Sequence, residues 1–395
     1  AYNNGEALCV KPSDGSGDFD FSRNSAATRV NAQGLVENVQ ILSSNLVQNG
    51  DFSEEGAEEV SNGSFSQEGV EEITNGNFDT DSDWSGVGSN GFSISGGKLN
   101  LSDVAYAKTV TQGNVTIVGK TYKVTFEISD YVKGAVRIFL GGSVTPTHSS
   151  NGVFTSYVTV SANTAVGIQT IAGGGTTLSI DNVSVREVGQ DWDIVGTGWS
   201  FGEDKIVSVN GSNYGVHQSA IVSGKTYKIT YEVKDYVSGS FSIRANTASG
   251  SVTASANGTY TDYITSNGNF LRLMGNGAFN GSVTNISVKE VGQNWNLGYN
   301  WSIGNGVAIC NVSSSFLSQG NILLSNKKYK ISFEITEYIS GEIRAVSDGY
   351  LNTSEYFNSL GVHDFIFNCG TLTSSTLFFQ PASFNGSVTN ISVIE

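Results

Sequence analysis

One phrase occurs three times along this chain: GKTYKVTFEISDYVKG from Gly119, GKTYKITYEVKDYVSG from Gly224 and NKKYKISFEITEYISG from Asn326. The copies start 105 and 102 residues apart (224 − 119 and 326 − 224). That period is the size of a sandwich domain and too long for a solenoid rung, so each copy implies a core of its own. Each block closes alike, with LSIDNVSVREVGQDW from Leu178, GSVTNISVKEVGQNW from Gly281 and GSVTNISVIE from Gly386. FNGSVTNISV is identical from Phe279 and from Phe384. Each also opens at a Trp (Trp84, Trp192, Trp295), with a second aromatic following at Phe92, Trp199 and Trp301.

Within a block the apolar period is two. Tyr122, Val124, Phe126 and Ile128 share one face, and Lys123, Thr125 and Glu127 the other, which is the alternation of a half-buried strand. The same holds from Tyr227 to Val233 and from Tyr329 to Ile335. In the closing strand Ile180 and Val183 break the period, which predicts a bulge or turn near Asp181–Asn182. Gly is abundant (48 residues), Pro and Met are scarce (3 and 1), and turn residues separate the strands. The expected fold is all-β, with two packed antiparallel sheets per module. The boundaries read as 75–190, 191–293 and 294–395 for modules 1 to 3, after an N-terminal segment 1–45 and an acidic stretch 46–74.

That acidic stretch repeats on a shorter period. NGDF, NGSF and NGNF begin at Asn49, Asn62 and Asn75, 13 residues apart. The third copy leads into Trp84 as the start of module 1. The first two look like duplicates with no module attached, because 13 residues cannot build a core. Glu54, Glu55, Glu58, Glu59, Glu68, Glu71 and Glu72 make the stretch read as a solvated linker or neck, its Phe residues docking on a neighbour.

Charge and composition exclude several classes. A formal net charge of −15 repels phosphate backbones and anionic lipid, which argues against nucleic-acid partners. No apolar run is long enough to span a bilayer, so no membrane insertion is expected. The chain starts at Ala1 without a visible signal peptide and reads as processed or as a piece of a longer protein. Cys9, Cys310 and Cys369 are odd in number and lack C-x-x-C spacing, so buried thiols are expected; Cys310 and Cys369 share a module and remain a possible pair. His148, His217 and His363 sit in unrelated contexts, which supports neither a Ser-His-Asp triad nor a His-ligated metal, and no enzyme is expected.

The pattern of NGxF, then Trp, then GKxYxVTFE, then the IDNVSV closing strand resembles jelly-roll carbohydrate-binding modules of the galactose-binding-like class. Module 1 matches best, since modules 2 and 3 lack NGxF and carry Asn285 and Asn390 where module 1 has Asp181. The resemblance implies weak glycan binding and a structural Ca²⁺ in module 1, with Asp79 and Asp181 as its oxygen donors. A second resemblance lies in KPSDGSGDFDFSRNSAATRVNAQGLVENV, from Lys11 to Val39, which is similar to a segment near the start of tailed-bacteriophage virion proteins. It reads as short strands DFDFSR and ATRVN, a turn at Gln33–Gly34 and a strand LVENV. It implies an extracellular virion component of fibre, tail or head-decoration type. Its N-terminal segment would dock to other virion proteins, its modules would touch host surface glycans, and it would assemble as a homo-oligomer, a trimer by analogy. Two other readings stand beside it: a secreted or cell-surface bacterial carbohydrate-binding protein or adhesin, and a structural spacer that self-assembles.

Three sets of side chains are candidates for function or its absence. Tyr131, Tyr236 and Tyr338 end the central strand and would either stack on a sugar ring or close a sandwich corner. Trp84, Trp192 and Trp295 read as core or interface plugs. Arg137, Arg244 and Arg344 fall on one strand face and are expected to pair with Glu127, Glu232 and Glu334.

Overall fold

The computed structural model describes residues 43–211, 214–347 and 353–395, and the backbone of four short strands before them. All regular structure among the described residues is β. Each module is a pair of antiparallel sheets threaded by two long strands, one central and one closing. In module 1 the first sheet runs Gly152–Thr159, Thr121–Lys133, Thr176–Val188, Leu99–Val104, Phe92–Ile94, and the second Ser143–Val144, Val136–Leu140, Val166–Thr170, Thr109–Gln112. In modules 2 and 3 the central strand (Thr226–Ala245, Lys328–Ser347) and closing strand (Phe270–Val291, Leu377–Ile394) run unbroken through both sheets.

The bend between sheets has a local cause. Gly134, Gly239 and Gly341 have φ of 90°, 76° and 75°, a region that L side chains rarely adopt. A Cβ there would lie 2.5, 2.7 and 2.1 Å from the closing strand. The predicted bulge is also present: pairing slips between Thr125 and Glu127, where Asn182 sits at φ 51°. The alternating apolar residues become the core. Tyr122, Val124, Phe126 and Ile128 are at most 1% exposed, and their counterparts in modules 2 and 3 are buried alike. The hydroxyls of Tyr122, Tyr227 and Tyr329 accept the backbone N–H of Ile117, Val222 and Leu324, so each buried ring has a partner at its polar end.

The 46–74 stretch, expected as a solvated linker, is built into the modules in reverse order. Val47 and Phe52 belong to the core of module 3, Val60 and Phe65 to module 2, and Ile73 and Phe78 to module 1. Phe52 packs on Trp295 at 5.3 Å, Phe65 on Trp192 at 5.2 Å and Phe78 on Trp84 at 5.4 Å. The indole N–H of each Trp donates to the carbonyl of the matching Asn: Trp295 to Asn49, Trp192 to Asn62, Trp84 to Asn75. Backbone pairing repeats on the same ruler. Leu46, Glu59 and Glu72 donate to Val393, Val288 and Val185, while Ile391, Ile286 and Val183 donate back to Gly50, Gly63 and Gly76. Each module holds its turn with one buried glutamine. Gln319, Gln218 and Gln112 each accept from the N–H and donate to the carbonyl of Gln48, Ser61 and Thr74 respectively.

The chain therefore passes modules 3, 2 and 1 as an extended strap, then returns through them as bodies 1, 2 and 3. The glutamates are bound up in this. Glu58 and Glu71 accept from the N–H of Val288 and Val185, Glu55 pairs with Lys228 and Lys289, and Glu68 with Lys123. Ser43–Gln48 completes the third rung, with Asn45 in the place of Glu58 and Glu71, accepting from Val393.

Upstream, Ala27–Val30 pairs antiparallel with Val36–Val39, and the expected Gln33–Gly34 turn lies outside the described residues. The DFDFSR strand and Cys9 lie outside the described residues. Cys310 and Cys369 are buried and not bonded to each other, and burial pushes both thiols up to about 11. Iodoacetamide at pH 7.5 should leave both unmodified in the native chain and alkylate both in guanidinium, read by peptide mapping. Native labelling of either would mean that module 3 opens.

Candidate functional site

The three tyrosines occupy equivalent corners, one per module, and are not brought together. Tyr131 and Tyr236 donate their hydroxyls to the carbonyls of Gly134 and Gly239 at 3.1 and 3.0 Å, and pack one face on the core. Asn151 and Asn257 accept from the N–H of the same two residues. Tyr338 lies 6.4 Å from Phe384 and is 36% exposed. At two of the three corners the hydroxyl is spent on closing the bend.

Asp79 accepts from Asn77 at 2.5 Å, and Asp181 accepts from the Asn182 N–H at 2.7 Å. Among the described residues no cluster of three or more His, Cys, Asp or Glu side chains is poised for a metal. This donor set does not fit a Ca²⁺ site, which takes six to eight oxygens. The structure also realigns the repeat. Asn182, Asn285 and Asn390 are counterparts, with φ of 51°, 52° and 53°, and donate to Glu127, Glu232 and Glu334. Thr284 and Thr389 stand where module 1 has Asp181, and their hydroxyls donate to the strap carbonyls of Ser64 and Asp51.

With those glutamates held by asparagines, the expected Arg–Glu pairs do not form. The arginines lie instead on the solvent face of the second sheet. Arg137 donates through Nε and Nη2 to Gln169 at 2.9 and 2.8 Å. The Phe139 ring lies over Gly167, the residue cross-strand from it, where a Cβ would come within 2.5 Å of the ring. Arg344 donates to Gln380 at 2.9 Å and its guanidinium sits 4.5 Å over the Tyr356 ring, with Phe316 and Phe378 5.4 Å apart nearby. Module 2 has Arg244 and Arg272 directly opposite each other, with Tyr214 5.8 and 5.3 Å away. Arg272 also lies 5.0 Å over Phe270, and the His217 ring packs against that ring at 4.7 Å, tilted by 56°. An arginine over an aromatic ring thus recurs on this face in modules 2 and 3, while in module 1 Arg137 and Phe139 share the face two residues apart on one strand. The sequence signal was weak, because outward residues at equivalent positions differ between copies.

The histidines are separate. His148 packs between Phe126 and Phe154, where burial lowers its pKa, and His363 contacts Phe333, Phe357 and the Ser359 carbonyl. His217 lies 3.6 Å from Asp193. Clefts of about 380 and 250 Å³ mark the two module junctions, floored by Trp192 and Trp295. Ion pairs line them, Lys120–Glu187 at 3.1 Å and Lys225–Glu290 at 2.7 Å. Glu203 ties module 2 to module 1 by accepting from Lys123 and Tyr157.

No family model and no curated protein matches the chain by sequence. Among solved structures it is similar to the N-terminal tandem CBM22 pair of Paenibacillus barcinonensis Xyn10C, at 9% identity and a TM-score of 0.26 over 56% of this chain and 98% of that one. It is also similar to a chain from the atomic structure of Sulfolobus Turreted Icosahedral Virus, at 12% identity and a TM-score of 0.17 over 75% of this chain and 88% of that one.

Proposed function

We propose that the chain is a non-enzymatic display protein whose three arginine-and-aromatic faces hold surface saccharides weakly and in concert. The observation that carries this reading is an arginine and an aromatic ring sharing the solvent face of the second sheet in each module, in contact in modules 2 and 3 (Arg244 and Arg272 with Tyr214, Arg344 with Tyr356) and two residues apart on one strand in module 1 (Arg137 and Phe139). A flat ring receives the apolar face of a pyranose, and a guanidinium donates to its hydroxyls. Three tethered weak sites engage one polymer at high effective concentration, so avidity exceeds any single affinity. The strap suits this role because it ties all three modules together through backbone pairing.

The test is retention on a broad glycan array. Wild-type chain should be held by at least one saccharide class, and Arg137→Ala/Tyr214→Ala/Tyr356→Ala should lose most of that signal with an unchanged melting profile. Absence of any retained glycan, or equal retention by the triple variant, would sink the reading.

The likeness of Lys11–Val39 to phage virion segments favours an extracellular place on a virion, with residues 1–45 as the anchor of a homo-oligomer. Mass spectrometry of purified particles that found no peptide of this chain would move it to the bacterial cell surface instead.

A further inference from the structure

Three residues line up across adjacent strands on the second sheet of module 2. His217 lies opposite Arg272, and Arg272 opposite Arg244. The corresponding row is Thr111, Gly167 and Phe139 in module 1, and Ser318, Phe378 and Val346 in module 3, so only module 2 concentrates charge there. Like charges directly opposite in a sheet are unfavourable. Two guanidiniums so placed are harder to account for in a chain with 36 acidic and only 21 basic residues.

No carboxylate answers them. Among the described residues neither Arg244 nor Arg272 forms an ion pair, although Lys228, Lys234 and Lys289 of the same module all do. Asp193 reaches only His217, and Asp262 is occupied by the backbone N–H groups of Ser251, Val252 and Tyr263. Arg272 Nε and His217 Nδ1 are buried without a hydrogen-bond partner, and Arg272 otherwise reaches Asn246 at a long 3.5 Å. Tyr214 lies beside both guanidiniums and Phe270 supports Arg272 and His217, so the cations rest on rings that leave much of their hydrogen-bonding capacity unused.

From this row we infer that module 2 is selective for acidic saccharides, the Arg244–Arg272 pair receiving a sugar carboxylate while Tyr214 meets the ring that bears it. The inference rests on the saccharide-binding reading and adds a ligand class to one module. A carboxylate bridging two guanidiniums supplies the missing counter-charge and takes up the idle donors with charge-assisted hydrogen bonds. Modules 1 and 3 have a lone arginine on this face whose donors already meet Gln169 and Gln380, which suits neutral sugars.

Trigalacturonate and its methyl ester are the probes, titrated calorimetrically against the full chain at one ionic strength. The acid should bind at least about tenfold tighter than the ester, as a charge-assisted pair provides. Arg244→Gln/Arg272→Gln should abolish that preference, so that acid and ester bind alike. Each single variant should melt no lower than wild type, since removing one guanidinium relieves like-charge opposition; this guards against misfolding as the cause. Equal binding of acid and ester, binding of neither, or a preference that survives the double variant would overturn the inference. The glycan array judges the broader reading separately, because neutral saccharides retained through modules 1 and 3 would leave it standing.

Discussion

Phe52→Ala should destabilise the last hundred residues of the chain and leave its neighbours in sequence intact. Phe52 is 2% exposed, packs 5.3 Å from Trp295 and belongs to the core built by Leu317, Phe333, Phe379 and Val388. Truncating a buried Phe costs about 3–5 kcal/mol, from lost transfer energy and the cavity left behind. The loss should fall on module 3, because the same strap segment carries the Gln48–Gln319 clamp and the Asn49 carbonyl that receives the Trp295 indole. Hydrogen exchange should show faster amides across 296–395 with modules 1 and 2 protected as in wild type. Phe65→Ala should shift the damage to module 2 and Phe78→Ala to module 1. A linker would give no protection change for Phe52→Ala, and nearest-neighbour assembly would place its damage in module 1. Either pattern contradicts the nested arrangement.

That arrangement was half legible. The three phrases gave module number and size, the two-residue period gave strand faces, and the irregular Ile180–Val183 spacing located a real bulge. Assigning the NGxF turns to modules failed because the partners are remote. Asn49 meets Gln293 across 244 residues and Asn62 meets Gln190 across 128. Neighbouring elements usually pack together, and that rule assigned NGNF to module 1 correctly while leaving two turns without modules. Counting would have found them homes: three NGxF turns, three opening tryptophans, and two modules without a turn of their own. The charge of the strap misled for a related reason. Glutamates in a short acidic run look solvated until the lysines and backbone amides they face are known, and those come from strands 55 to 234 residues away. The arginine-and-aromatic faces were missed because a repeat search rewards identity, whereas these positions vary: Phe139, Arg244 and Val346 share one place in the fold. Core positions recur because packing dictates them, and positions facing solvent are free to diverge.

The glycine of each NGxF turn gives the sharpest test of the strap. A Cβ at Gly63 would lie 1.9 Å from the Ile286 carbonyl oxygen, and at Gly50 and Gly76 2.0 Å from those of Ile391 and Val183. No side-chain rotation relieves a clash with backbone, so Gly63→Ala must push the strap off the closing strand. That breaks the Ile286 N–H to Gly63 carbonyl bond and draws Phe65 away from Trp192. The expected cost is about 2–4 kcal/mol, from a lost buried hydrogen bond and disturbed core packing. For a module of this size that lowers its melting temperature by roughly 10 °C or more. Gly113→Ala is the control, because nothing lies within 4 Å of its Cβ position. It should change stability by no more than about 0.5 kcal/mol. Calorimetry would show the Gly63→Ala loss, and exchange would localise it to module 2, including Lys289–Val291, which the strap strand Glu55–Glu58 covers. Equal melting of the two variants would mean that the strap accommodates a side chain at its closest approach, and that Trp192 does not depend on the turn to stay buried.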